Sequence, residues 1–162
     1  MIKKIAAAAT AGTIAWAGIS AVDNTTRDDS GAIVQSGDLG AFVTKVGDCL
    51  NGLPTGNQST IDVLKGVPCS DAHHWQVVHK ENISLANFDQ AAVDNEAKNV
   101  CDNALNSLVN SLSESKFNEY KSAVSTTLQP TSESWAHEDR VVDCLLGSDT
   151  QTFFTSIFDQ SK

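Results

Sequence analysis

The chain has 162 residues, a length suited to one domain, and its 41% hydrophobic and 19% charged residues are the balance of a globular protein rather than of a disordered tail. Twenty Asp and Glu against 11 Lys and Arg give a formal net charge of −9, which argues against the basic footprint of a nucleic-acid binder and against charge-driven docking on anionic lipid. The sequence holds no Walker A loop, GxGxxG turn, HExxH pair or GxSxG elbow, so the familiar phosphate, dinucleotide, zinc-protease and serine-hydrolase chemistries have no signature here.

The first element is hydrophobic. After Met1-Ile2-Lys3-Lys4, the run from Ile5 to Val22 carries no charge. As a helix it would reach about 27 Å at 1.5 Å per residue, just short of a hydrocarbon core of about 30 Å. Residues 1–22 therefore read either as a cleaved signal peptide, with Ala15-Trp16-Ala17 as its processing site, or as an uncleaved anchor with its lysines held inside. Both place the rest of the chain outside the cytoplasm. Residues 23–31 (DNTTRDDSG) read as a polar linker, and 32–162 as the exported domain.

Along that domain, short strands are expected at 32–35 and within 39–50, followed by a Gly/Pro/Asn loop at 51–60 and a strand at 61–67. A strand over 75–83 would put Trp75, Val77 and His79 on one face and Gln76, Val78 and Lys80 on the other. The clearest helix runs from Phe88 to Leu112, with an apolar stripe through Val93, Ala97, Val100, Cys101, Ala104 and Leu108 and with Asn87 or Asp89 as its cap. A short helix opened by Ser113 comes next, then a strand at 123–128 and a turn at 130–134. The most strand-like run, 140–146, follows, and 152–158 would make a last edge strand. Strands, one long helix and strands again, without βαβ alternation, predict an α+β fold. Its largely antiparallel sheet would pack on one long amphipathic helix behind the N-terminal hydrophobic segment.

Cys49, Cys69, Cys101 and Cys144 are even in number and all follow the hydrophobic segment, which in an oxidising compartment reads as two disulfides. Three pairings are open. Cys49–Cys69 with Cys101–Cys144 is favoured because each bond then closes within one structural unit, and loops of those spans would stabilise by about 3 and 4 kcal/mol. No two cysteines stand two to four residues apart, so the spacing of a zinc knuckle or a CxxC redox pair is missing.

Several stretches taken together resemble the septum-formation family of exported domains from high-GC Gram-positive bacteria. They are Val46-Gly-Asp-Cys-Leu-Asn51, Val67-Pro-Cys-Ser-Asp-Ala-His73, and Pro130-Thr-Ser-Glu-Ser-Trp135 leading into Asp139-Arg-Val-Val-Asp-Cys144. The lead-in Arg27-Asp-Asp-Ser-Gly-Ala-Ile33 fits too, so the resemblance covers about residues 27 to 147. It implies a small disulfide-bonded domain held outside the membrane, which tilts residues 1–22 toward an anchor, and it brings no catalytic residue. The chain departs from the pattern twice. It has His73-His74-Trp75-Gln76-Val77 where members often have His-Asp or His-Asn and then Glu-Val, and Glu138 where members tend to have Gly.

Two clusters could carry chemistry. Asp71, His73, His74 and His79 suggest imidazole and carboxylate ligands, but along a strand His73 and His79 would lie about 20 Å apart, so no metal site is assigned. His73 is expected to order the turn after Cys69. Trp135-Ala-His-Glu-Asp-Arg140 gathers His137, Glu138 and Asp139, yet no nucleophile with a placed base accompanies them. Asp28-Asp29-Ser30-Gly31 lacks the alternating ligands of an EF loop. The sequons at Asn24, Asn57 and Asn82 would matter only in a eukaryotic secretory pathway. The expected protein is non-enzymatic and without cofactor or nucleic-acid partner. It would meet the membrane through its N-terminus and envelope or division proteins through a surface near His73, Trp75 and Trp135. The alternative is a binding module for a cell-wall or extracellular ligand.

Overall fold

The computed structural model describes residues 2–4, 21–54 and 60–159. Most of the hydrophobic segment and the middle of the 51–60 loop lie outside the described residues. Among the described residues the strands are β1 (Ile2–Lys4), β2 (Thr26–Arg27), β3 (Ile33–Gln35), β4 (Gly37–Gly40), β5 (Cys49–Asn51), β6 (Thr60–Ile61), β7 (Val63–Val67), β8 (Trp75–Asn82), β9 (Val124–Gln129) and β10 (Val141–Gly147). Helix α1 spans Gln90–Ser111, α2 Glu114–Tyr120 and α3 Ser132–Ala136. Six strands form an antiparallel sheet in the order β4-β7-β5-β8-β10-β9, and β1 and then β6 continue it in parallel beyond β9. β2 and β3 pair separately. The α+β expectation holds.

β8 and β10 sit at the centre; β10 and the first half of β8 are buried on both faces, and β10 accordingly reads as an almost continuous apolar run. One cluster of buried side chains gathers Leu50, Leu64, Trp75, Val77, Leu128 and Leu145. A second, between the sheet and α1, gathers Val78, Val93, Ala97, Cys101, Val142 and Leu146. The Asp89 side chain accepts from the Ala92 amide at 2.8 Å and caps α1. Val93, Ala97 and Cys101, four residues apart, are its buried positions. At Gly147 the β10 backbone closes on its neighbour, since a Cβ there would lie 2.0 Å from the His74 carbonyl oxygen.

β6 and β7 are a single strand interrupted at Asp62, yet they stand near opposite ends of the strand order. The sheet therefore curls round on itself, and β1 bridges β9 to β6.

In residues 23–31, Thr26 and Arg27 pair with β3, Asp23 bridges Leu39, and Arg27 binds Asp48. Three expectations change. The alternation along β8 breaks, because a register shift opposite Cys144/Leu145 inserts an extra residue. Trp75 and Val77 stay with the inner cluster, but Lys80 joins their side, binding Thr44 and Asp143. His79 instead faces a shallow groove with Glu96 and Asn99 of α1. The turn at 130–134 becomes α3, opened by a capping box in which Thr131 and Ser134 each bind the other's backbone amide. Residues 152–158 form no strand. Only Phe153 pairs, exchanging hydrogen bonds of 3.0 and 2.8 Å with His73. Side chains satisfy the rest: Tyr120 donates to the Thr155 carbonyl at 2.7 Å, and the Gln76 carbonyl accepts from the Ile157 amide at 2.8 Å.

Candidate functional site

The four cysteines form Cys49–Cys69 and Cys101–Cys144, the pairing favoured above. The second ties α1 to β10. The first ties the Val46-Gly-Asp-Cys49 corner, just before β5, to the turn after β7. Gly47 takes φ +98°, a left-handed conformation that glycine adopts without a Cβ penalty. Asp48 turns inward. Its carboxylate accepts from the Arg27 guanidinium at 2.6 and 2.9 Å and from the Lys45 amide at 2.8 Å. That two-pronged bond raises the pKa of Arg27 and fixes the corner to the N-terminal lead-in.

Gln76 locks the other side. Its amide donates to the Gly47 carbonyl at 3.1 Å and to Ser156 Oγ at 2.7 Å, while its oxygen holds Ile157. The C-terminal tail is thereby laid against the corner, and the two enclose an open groove of about 370 Å³ beside the Cys49–Cys69 bond. Ile33, Val46, Val67 and Phe158 give it apolar walls, with Lys45 and Asp159 among its charged residues. Val46 is 52% and Phe158 39% exposed, more than a side chain serving only the core requires. Both cysteines beside the groove are oxidised, so neither is a nucleophile.

The side chains singled out as an interaction surface are interior instead: His73 is 0%, Trp75 5% and Trp135 8% exposed. His73 Nδ1 faces the Asp71 carbonyl at 2.9 Å, its ring lies 6.2 Å from that of Phe153, and Nε2 is buried without a hydrogen-bond partner among the described residues. Burial, the largest influence, holds its pKa below the usual imidazole value. His74 Nδ1 sits between the Ser148 and Gln151 carbonyls at 3.2 and 2.9 Å, and His79 pairs with Glu81 at the surface. The histidines diverge, and among the described residues no cluster of three or more His, Cys, Asp or Glu could hold a metal.

The second cluster is a structural corner. Arg140 stacks 3.5 Å from the centre of the Trp135 ring and donates to the Trp135 carbonyl at 2.9 Å. Asp139 accepts from Ser134 Oγ at 2.9 Å and from the Val141 amide at 3.1 Å. After α3 the Asp139 amide bonds Ser134 O and the Glu138 amide bonds Trp135 O, both at 3.1 Å, with Glu138 at φ +64°. This is the Schellman termination, whose left-handed position favours glycine.

Sequence reasoning missed the groove because Ser156, Phe158 and Asp159 lie about 110 residues beyond Val46. The one signal was Gly-Asp ahead of Cys49, a turn glycine followed by an acid. Residues 21–150 match the family described as Septum formation. No curated protein and no solved structure matches the chain.

Proposed function

The chain belongs to the septum-formation family, and from that premise we propose that it is a non-enzymatic extracytoplasmic protein of the cell envelope, acting in septum formation through protein interaction. The observation that carries this reading is the family match over residues 21–150 together with two disulfides that use all four cysteines, since such bonds persist outside the cytoplasm. Residues 1–22 anchor the domain to the membrane. Among the described residues no helix is long and apolar enough to cross it, and the hydrophobic run 5–20 lies outside them.

The groove beside Cys49–Cys69 supports interaction rather than chemistry, because it offers exposed Val46 and Phe158 and no free thiol. Its concave, largely apolar form also favours the alternative, a binding module for a cell-wall or extracellular ligand. A C-terminal fluorescent fusion that matures outside the cytoplasm separates the two readings. Enrichment at division sites, lost in Val46→Asp with an unchanged melting temperature, supports the division reading. Even distribution around the envelope overturns it and leaves the ligand module.

A further inference from the structure

The two disulfides differ in what an incoming thiol can reach. Cys101–Cys144 lies between α1 and the middle of the sheet. Cys144 is fully buried, and Cys101, although it borders a cleft between α1 and β9, is 3% exposed. In the other pair Cys49 is fully buried in β5, whereas Cys69 is half-buried and borders the groove together with Val46 and Phe158. Exchange starts when a thiolate attacks one sulfur of a disulfide, and access decides which. Cys69 is the cysteine that the groove leaves open. Hydrogen bonds hold both ends of this bond independently of it. Cys49 is paired with Val67 on one side and Gln76 on the other, and the Gly47 amide donates to the Val77 carbonyl at 2.8 Å. The turn that carries Cys69 closes through the Asp71 amide, which donates to the Pro68 carbonyl at 2.9 Å, and beyond it the Asn51 side chain donates to the Ala72 carbonyl at 2.9 Å. The corner therefore keeps its shape when the bond opens, while an attack on Cys101–Cys144 requires α1 to lift from the sheet.

We propose that Cys49–Cys69 is an exchange site for the dithiol of a partner protein, which enters the groove and attacks at Cys69. This deepens the reading above by naming a partner chemistry for the same groove, and it rests on that reading. A thiolate of the partner bonds to Cys69 Sγ as the Cys49–Cys69 bond breaks, and Cys49 leaves with the electron pair and takes up a proton. The partner's second thiolate then attacks the partner's own first sulfur, and Cys69 leaves with the electron pair and a proton. The cystine is reduced, and the partner's dithiol is oxidised to a disulfide. A lone thiol does not finish this sequence, because Cys49, held in β5 beside Cys69, competes intramolecularly and expels it. That selects a dithiol. Exposed Val46 and Phe158 offer contact to the residues that flank a thiol in a protein, which a small dithiol lacks. The surroundings also receive the product. Cys69 Sγ lies 3.4 Å from the Gly47 carbonyl oxygen and 3.8 Å from the Gln76 amide nitrogen, an acceptor for the thiol and a donor for the thiolate. Among the charged residues on the groove, Asp48 is engaged by Arg27, Lys45 attracts an incoming thiolate and Asp159 opposes it.

The oxidised full chain is incubated at pH 7 with reduced thioredoxin, dithiothreitol or glutathione at equal thiol concentration, then alkylated and mapped by mass spectrometry. Thioredoxin and dithiothreitol should open Cys49–Cys69 more than about tenfold faster than Cys101–Cys144, which waits on local opening, while the amide spectrum of β10 stays native. Glutathione should give no net opening. Thioredoxin whose second cysteine is replaced by serine should be trapped as a mixed disulfide on Cys69. Lys45→Glu should slow the opening several-fold. Equal rates for the two disulfides, trapping on Cys49, or opening by dithiothreitol but not by thioredoxin overturns the exchange site for a protein dithiol. As a second handle, the chain with both Cys49→Ser and Cys69→Ser should keep the β10 spectrum, and loss of that spectrum would mark the bond as a structural one and overturn the proposal. These rates are read on the purified chain and do not depend on where it resides. A fusion found inside the cytoplasm together with fast exchange at Cys69 removes the envelope reading and leaves the site, and enrichment at division sites with slow exchange does the reverse.

Discussion

The sheet is entered at two corners, and they are built alike. Val46–Cys49 leads into β5 and Trp135–Arg140 into β10. Each places a residue at positive φ, Gly47 or Glu138, directly before a buried aspartate, Asp48 or Asp139. They differ in what the aspartate holds. Asp48 grips a guanidinium from 21 residues away, so the first corner depends on the chain's lead-in and, through Gln76, on its tail. Asp139 accepts from Ser134 and Val141, so the aspartate of the second corner is held by near neighbours in the chain. A corner whose aspartate is held locally suits a structural joint. A corner assembled from three distant segments leaves a crevice between them, and the groove lies there.

The largest expected effect breaks the first corner. Asp48→Ala removes the two-pronged bond to the mostly buried Arg27 guanidinium, which keeps Asp23 at 3.2 Å and the Gly31 carbonyl at 2.8 Å, and the lost charged hydrogen bonds cost about 3 kcal/mol. Chemical denaturation should show that loss. Asp139→Ala leaves a hydroxyl and an amide with a lost acceptor in a smaller network, a cost of about 2 kcal/mol. Equal losses would mean that the two corners are mechanically equivalent and that the contrast drawn between them is wrong. Gln76→Glu should fall between these two, because a carboxylate cannot donate to Gly47 O and Ser156 Oγ, and it should raise amide exchange at 156–158 before anything else opens.

Acid should also act on one side only. His73 follows the Cys69 turn of the first corner and is held neutral in the fold, while in the unfolded chain it titrates near the ordinary value of 6.5. Since the folded pKa is depressed, stability is full above pH 6.5 and falls as pH drops toward the folded value, by at most about 1.4 kcal/mol per pH unit. Asp71, His74, Lys116 and Glu119 surround or influence the ring. Denaturation between pH 7 and 5 should show that slope in the wild type and a flatter one in His73→Asn. An identical slope in the variant would assign it to another group.

Much of this was legible in the chain, for physical reasons. The stripe through Val93, Ala97 and Cys101 repeats at the helical period, the continuous apolar run of β10 marks a strand buried on both faces, and disulfides that close within neighbouring elements were the natural pairing of Cys49 with Cys69 and Cys101 with Cys144. The interior fate of Trp75 was not legible, because an aromatic residue beside a turn gives no sign of which way it faces, whereas His73 was legible as the residue that orders the turn after Cys69, where its Nδ1 meets the Asp71 carbonyl. The slip along β8 was hidden as well: a bulge is a property of two strands together, and neither Val78 nor His79 announces it. The groove lay beyond reach because half of it is tail.

The smallest effect tests the resemblance between the corners most directly. Gly47 and Glu138 occupy the same left-handed region, but only one is glycine. A side chain in that region costs about 1–2 kcal/mol, set against the extra freedom that glycine has in the unfolded chain. Glu138→Gly should therefore raise stability by about 0.5–1 kcal/mol, and Gly47→Ala, which has open space for its Cβ, should lower it by a similar amount. Because the corner at Glu138 already closes with both Schellman bonds, the gain should appear without any change in the amide spectrum around Trp135. If Glu138→Gly is neutral or destabilising, the glutamate makes a contact worth its backbone strain. The second corner would then be more than a joint, and the exposed face around Glu138 would be the next place to look for a partner.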